Sequence, residues 1–548
     1  MDDLAQIVEP TALAVEVSSL YEAGDYERAV TVAEKTLEAT EQAAGSDSLH
    51  AAGALADLAA LHEARGVYAM AAPLYRRSLA IREKALPSGH LDIALNLGSL
   101  ARVEGALGRH AEAESLLRSQ LVLLAKAAGP DSLEVAAALD QLAGECSARG
   151  GYDEAESLYR RAQQNREEAL GPEHPRVTLG LDRLADLAAA RGDRAEARAL
   201  HEQALGVREQ TLGPDHPDVA FTLSRLAVWH DSEADYAASG SLHRRALSIR
   251  EQTLGPDHPD VASGLRDLAR SLVAQGDREA ARPLYERALA IQENALGPHH
   301  PELAATLAES ADLHRAEGEY LLAEPLYERA LSIRETALGP DHPGLAPLLA
   351  GLADLYYLRD LRDEAEALYR RSLSVRERSA APDDPRVALT LNGLAVLLSV
   401  QGRYDEAEPL YERALSIQQS VLGEDHPDVA TTLGNLAVMY DSQGRYAQAE
   451  PLHRRALAIR ELTLGPDHAY VGTSLENLAE AYRAQGRIAE ALALYERALV
   501  IEEQTVGAGS PELVASLENL ATLYRKSDRQ EEADAFEERA RALRLAER

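Results

Sequence analysis

The chain has 548 residues and a formal net charge of -34, from 56 basic and 90 acidic residues, which repels a phosphate backbone and an anionic membrane and makes nucleic acid and membrane poor partners for the surface as a whole. Aromatic residues are 4% of the chain and Trp229 is the single tryptophan, too few large rings for one globular core of this size. Cys146 is the only cysteine, which excludes an internal disulfide and a cysteine-based metal cluster within one chain.

The start, MDDLAQIVEP, lacks a basic flank followed by an apolar run, and no stretch of 18 apolar residues occurs; the sequence thus predicts a soluble, unexported, cytoplasmic protein. Lysine occurs only at Lys35, Lys84, Lys126 and Lys526, and the other basic residues are arginine, a composition that points to a GC-rich bacterial genome.

Along the chain, one loop phrase returns. LGPDHPDVA at Leu212 to Ala220 recurs at Leu254 to Ala262, with close variants beginning at Leu170, Leu296, Leu338, Leu422 and Leu464. Its glycine marks Gly45, Pro87, Gly129, Gly171, Gly213, Gly255, Gly297, Gly339, Ala381, Gly423, Gly465 and Gly507, each step being 42 residues. A fixed period of this length is the signature of a solenoid. It divides the chain into thirteen units forming a single array: an N-terminal capping unit over 1–45, eleven regular repeats over 46–507 and a C-terminal capping unit over 508–548. The first unit already departs from the pattern, with Glu16 where later units have Leu.

Each unit reads as two helices. Between Glu424 and Gly465, Val429, Leu433, Leu436, Ala437 and Tyr440 share one helical face before Gly444 interrupts; Tyr446, Ala449, Leu452, Ala456, Leu457 and Ile459 mark a second helix. The interrupting glycine also stands at Gly24, Gly66, Gly108, Gly150, Gly192, Gly276, Gly318, Gly402 and Gly486, with Ala234, Asp360 and Asp528 as exceptions. A column of alanines from Ala29 to Ala533, broken once by Ser239, falls where the paired helices meet; a larger side chain there would force the axes apart.

The order Leu433, Leu436, Ala437, Tyr440, Gly444, Tyr446, Ala449, Ala456 resembles the tetratricopeptide repeat, and the 42-residue period with its LGPDHP loop is similar to the kinesin light chain subtype common in bacterial proteins. The resemblance covers essentially the whole chain. It implies an all-α solenoid, a right-handed superhelix of about thirteen antiparallel helix pairs, and a function in holding proteins or peptides. No heptad-repeat segment precedes the repeats, and GxxxxGK[ST] is absent.

Single residues that invite a chemical role have periodic structural ones. His90, His174, His216, His258, His300, His342, His426 and His468 alternate with Ser48, Ser132, Asp384 and Ser510 in one column, usually followed by proline. That is helix N-capping, and no metal site is expected. Cys146 shares a core column with Tyr440, Tyr482, Tyr524, Leu272 and Leu398, as do His62, His230 and His314, so a buried thiol and core histidines are expected in place of a nucleophile and bases. Pro73, Pro283, Pro325, Pro409 and Pro451 fall early in the second helix, where little backbone bonding is lost. Gly-x-Ser-x-Gly, His-Glu-x-x-His and CxxC do not occur; neither an enzyme nor a cofactor is expected.

In relatives of this family the unused face of the first helix lines a concave groove. The corresponding residues here include Asn435, Asn477 and Asn519, with Arg483, Arg525 and Lys526 about two turns further on, while Arg183, Arg225, Asp267, Glu309, Gly351 and Gly393 occupy the column upstream. Asparagine both donates to and accepts from a peptide backbone. The C-terminal groove is therefore expected to take an extended segment carrying acidic residues, although Glu480 lies three residues from Arg483 and stands ready to pair with it. Arg183, Arg225, Arg266 and Arg270 form a second candidate cluster, close to Asp182, Asp186 and Asp267. The leading reading is a non-catalytic scaffold or adaptor binding a peptide or protein in the groove; the alternative is a regulatory subunit or inhibitor held over a broad surface. Oligomeric state and partner identity are not encoded in these patterns.

Overall fold

Where a loop glycine ends a helix its φ is positive, 95° at Gly129, 88° at Gly171 and 89° at Gly213, a backbone state in which a Cβ is penalised. The structure, a computed structural model, describes residues 13, 15–17, 19–20, 26–171, 174–379 and 384–546; Gly24 and Ala381 lie outside them. Among the described residues every regular element is helical, and the helices pack in consecutive pairs.

Three residues past the glycine stands the cap of the next helix. His216 Nδ1 accepts the N–H of Asp218 at 3.1 Å, and His90, His174, His258, His300, His342, His426 and His468 cap in the same way. Ser48, Ser132, Asp384 and Ser510 do so through oxygen. The column thus satisfies backbone donors that a helix start leaves open. First helices such as Pro217–Ser232 run 16 residues and second helices such as Tyr236–Leu254 run 19. The turn between them is left-handed even without glycine: φ is 58° at Ala234, 61° at Asp360 and 58° at Asp528. Chain direction, and not the residue, is what the turn conserves. Pro73, Pro283, Pro325, Pro409 and Pro451 all sit inside second helices.

The small-residue column closes each pair. All thirteen members, from Ala29 through Ser239 to Ala533, are completely buried. Tyrosines one turn on, Tyr285, Tyr327 and Tyr411, are buried to 2% exposure or less. Cys146 lies in this core beside Leu142 and Tyr159, and burial, with Glu154 and Glu114 adding to it, pushes its thiol up to about 11. His62 is buried; His230 and His314 are less so and face Asp235 and Glu319.

A second periodic contact ties many of the repeats to the one before. Arg245 donates to Glu209 at 2.7 Å and to the carbonyl of Pro214 at 3.2 Å; Arg287 does so to Glu251 at 2.6 Å and Pro256 at 3.2 Å. Arg329 reaches Glu293 and Pro298, Arg497 reaches Glu461 and Pro466, and Arg539 reaches Glu503 and Ala508. Exposed ion pairs of this kind are individually weak, but the carbonyl acceptor lies in a fixed loop.

The chain divides into two compact units, Met1–Gly351 and Leu352–Arg548. No helix of the described residues is long and apolar enough to cross a membrane. Two substitutions test the packing. Ala407→Leu, at a completely buried contact, is expected to destabilise the second unit by about 1–3 kcal/mol, whereas Leu462→Ala at a 71% exposed site changes it by less than about 0.5 kcal/mol; equal effects in denaturant titrations would refute the column's role. Cys146→Ala should keep the helical circular-dichroism spectrum and cost about 1 kcal/mol of packing.

Candidate binding grooves

First helices bury two faces, one in the pair and one against the neighbouring repeat, and leave a third open. In the second unit this face carries the asparagine column. Asn435 is half-buried and donates to Asn392 Oδ1 at 3.2 Å; Asn477 is half-buried and Asn519 exposed. Arg483 forms a two-pronged pair with Glu480, and Arg525 reaches Glu537 at 2.5 Å and Asp534 at 3.8 Å. Lys526 is exposed. The charge that the sequence offers to a ligand is thus largely met internally at both arginines. Beneath the column lie Glu476 and Glu502, with the Ser516 hydroxyl donating to Glu476 at 3.3 Å. Burial, reinforced by Glu502, pushes the Glu476 carboxyl up to about 7.

The first unit holds the other candidates. Arg183 is exposed; Arg225 lies 3.5 Å from Asp186 and 5.3 Å over the ring of Phe221. Arg266 and Arg270 both approach Asp267, at 3.5 and 3.6 Å.

Under this surface runs a column that sequence reasoning missed. Arg166, Arg208, Arg250, Arg334 and Arg460 stand near the ends of second helices, spaced by whole repeats, and turn inward instead of outward. Arg166 pairs with Asp140. Arg208, 4% exposed, donates to Asp182 at 2.6 Å and to the Thr222 hydroxyl. At Arg250 both partners change. Serine replaces the aspartate, so Nη2 donates to Ser224 Oγ at 2.9 Å; Gly264 replaces the threonine, and a Cβ there would stand 2.9 Å from Nη1. Nη1 is buried with no acceptor, and burial holds the Arg250 guanidinium below its usual pKa against the pull of Asp267 and Asp260. This guanidinium borders a cavity of about 470 Å3 that Leu179, Phe221, Leu254, Arg208 and Asp260 also line. Phe221, 38% exposed, presents its ring there. The legible signal was the 42-residue spacing of arginine within an otherwise apolar stripe.

Helix pairs repeated end to end, with caps, turns and core residues in fixed columns and an open face on each first helix, define an α-helical repeat scaffold. The tetratricopeptide repeat family model matches residues 17–84, 92–168, 146–206, 176–250, 232–294, 272–331, 302–378, 386–462, 442–501 and 470–546, and a second tetratricopeptide repeat model matches 350–421. The chain belongs to the tetratricopeptide repeat family, whose repeats mediate protein–protein interaction, and is in that general sense an interaction scaffold.

Similar solved structures include BtubC (BKLC) from P. vanneervenii, 29% identical, covering 42% of this chain and 92% of that one with a TM-score of 0.37. A putative kinesin light chain of Podosopora anserina with nearly identical TPR-like repeats is 25% identical, covering 37% and 97%, with a TM-score of 0.34. An IFIT1 monomeric mutant with Gppp-AAAA is 16% identical, covering 88% and 95%, with a TM-score of 0.45. No curated protein matches the sequence significantly.

The raised Glu476 carboxyl has a pH consequence. A carboxyl whose folded pKa lies above its unfolded value of about 4.3 contributes stability that is present at lower pH and is lost as pH rises toward 7. Glu476→Gln should therefore raise the melting midpoint of the second unit by about 2–4 °C at pH 8 and flatten its dependence between pH 4.5 and 7. Thermal scans showing the same pH slope in parent and variant would rule this out.

Proposed function

We propose that the chain is a non-catalytic scaffold that holds an extended protein segment on the open faces of its first helices, and that the primary contact is the cavity at Arg250 in the first unit, where the segment supplies a carboxylate. One observation carries the reading: a largely buried guanidinium whose two preceding column mates, Arg166 and Arg208, are paired with aspartate, here left with one neutral acceptor beside an exposed phenylalanine. A desolvated cation with no carboxylate hydrogen-bonded to it is costly, and a ligand carboxylate would relieve that cost with charge-assisted bonds. Leu179, Phe221 and Leu254 would take the apolar part of the same segment. Arg183 and Arg225 border this face and would steer acidic residues toward it. The asparagine column of the second unit, Asn435, Asn477 and Asn519, would bond the backbone of a segment that is neutral or basic there, since Arg483 and Arg525 are already paired.

A random-peptide display library panned on the full chain tests this. Recovered peptides should share an Asp or Glu, and Arg250→Gln should weaken their binding by about tenfold or more while flattening its salt dependence. Phe221→Ala should weaken it without altering the salt slope. Peptides that bind the Arg250→Gln chain as tightly as the parent would place the contact elsewhere.

A further inference from the structure

Two rungs of the first unit touch residues more than five repeats away. At the first, His300 Nδ1 caps its helix by accepting the N–H of Glu302, and its Nε2 meets the carbonyl oxygen of Ala64 at 3.2 Å, 236 positions earlier. Because Nδ1 accepts, the proton sits on Nε2 and is donated to Ala64. Beside this bond, Pro301 packs over Gly66 so closely that a Cβ on that glycine would stand 2.3 Å from the proline ring. One repeat on, the geometry returns. His342 Nδ1 caps Gly344 at 2.9 Å, its Nε2 is buried, and it lies 3.4 Å from where a Cβ of Gly108 would be.

These contacts are particular to the two rungs. The equivalent left-handed glycines Gly150, Gly192, Gly276 and Gly318 have nothing within 4 Å of a Cβ position. The capping imidazoles of His216 and His258 are 39% and 41% exposed, whereas His342 has its outer nitrogen covered. Tyr68, two residues past Gly66, faces Glu302 and Arg334, and burial raises its hydroxyl pKa. A cavity of about 260 Å3, lined by Glu27, Arg65, Val67, Gly297, His299 and His300, lies along the seam.

We propose that this seam is a clasp, holding one turn of the first unit's coil against the next, so that the concave face admits an extended chain along the coil axis and excludes a folded partner. Ala64–Tyr68 and Ala106–Gly108 form one jaw, His300–Glu302 and His342 the other. A ligand that arrives from the side has to part a hydrogen bond and two backbone-close van der Waals contacts at once. The clasp bears on the preceding section only in taking the concave face as the binding surface, and its test uses no ligand, so the two readings fail separately.

Serine caps the same column at Ser48, Ser132 and Ser510. His300→Ser combined with His342→Ser therefore keeps both helix caps and removes the imidazole rings, with their outer nitrogens, from the seam; His216→Ser with His258→Ser is the control. In a Cys146→Ala background, cysteines at Arg65 and His299, which line the same cavity, should be joined within the molecule by a short bismaleimide in parent and control, and poorly in the seam variant. In the same background Val228→Cys, 45% exposed and three residues from Arg225 on the same helix, reports access to the concave face. N-ethylmaleimide should label it at equal rates in all three proteins. A maleimide carried on a small folded protein should label the parent and control more slowly than the seam variant by about tenfold or more. Equal cross-linking in parent and seam variant overturns the clasp. Equal labelling by the folded carrier overturns the exclusion of folded partners. Circular dichroism and melting of the seam variant close to those of the control keep either result from being attributed to unfolding.

Discussion

Everything in this molecule depends on how closely the two helices of a repeat approach. Thirteen alanine or serine side chains with no exposed surface set that distance, and a close-packed interior transmits any change in it. At that spacing a tyrosine of the second helix reaches carboxylates across the pair, as Tyr327 reaches Asp312 and Tyr495 reaches Glu480 at 3.1 Å. The same spacing decides how far an arginine near the end of the second helix penetrates. The turn is held equally tightly, to the point that Ala234, Asp360 and Asp528 adopt the left-handed state that glycine serves elsewhere, at a cost of about 1–2 kcal/mol each.

Against that uniform frame, departures in the inward arginine column stand out. Arg166 and Arg208 are matched with Asp140 and Asp182, so each buried cation is neutralised. Arg250 has lost both of its neighbour's partners, and the second unit places Glu502 in the same column, close to Glu476. The inward column therefore changes along its length, with arginine held by a neutral acceptor at Arg250 and Arg460 and a carboxyl at Glu502. A fold stabilised by many equivalent contacts tolerates such local losses, and binding surfaces are where they concentrate.

Much of this was legible in the sequence because it repeats. The period, the capping histidines, the core position of Cys146 and the small-residue column each gain support from a dozen parallel instances, and the structure places them accordingly. The candidate site was less legible. The pairing of Arg483 with Glu480 can be read along one helix, but Arg525 looks free there and loses that freedom to Glu537 on the helix that follows. Arg250 looks like one more solvated arginine until Ser224 and Gly264, at different distances along the chain, are seen to face it. The seam joining His300 to Ala64 has no sequence signature, because it depends on the small rotation per repeat summed over many repeats.

The arginine ties between repeats carry a consequence for how such a chain changes over generations. Each runs from a second helix to the glutamate and loop carbonyl one period earlier, as Arg245 does to Glu209 and Pro214 and Arg287 to Glu251 and Pro256. Copying or excising a whole 42-residue period, wherever in the cycle the cut falls, keeps these positions in step and hands every cap an equivalent helix. Gaining or losing one residue leaves the ties on one side of the change out of step with those on the other. The number of repeats is thus the quantity that duplication and deletion alter at least cost, and the twelve loop markers are spaced without a single insertion.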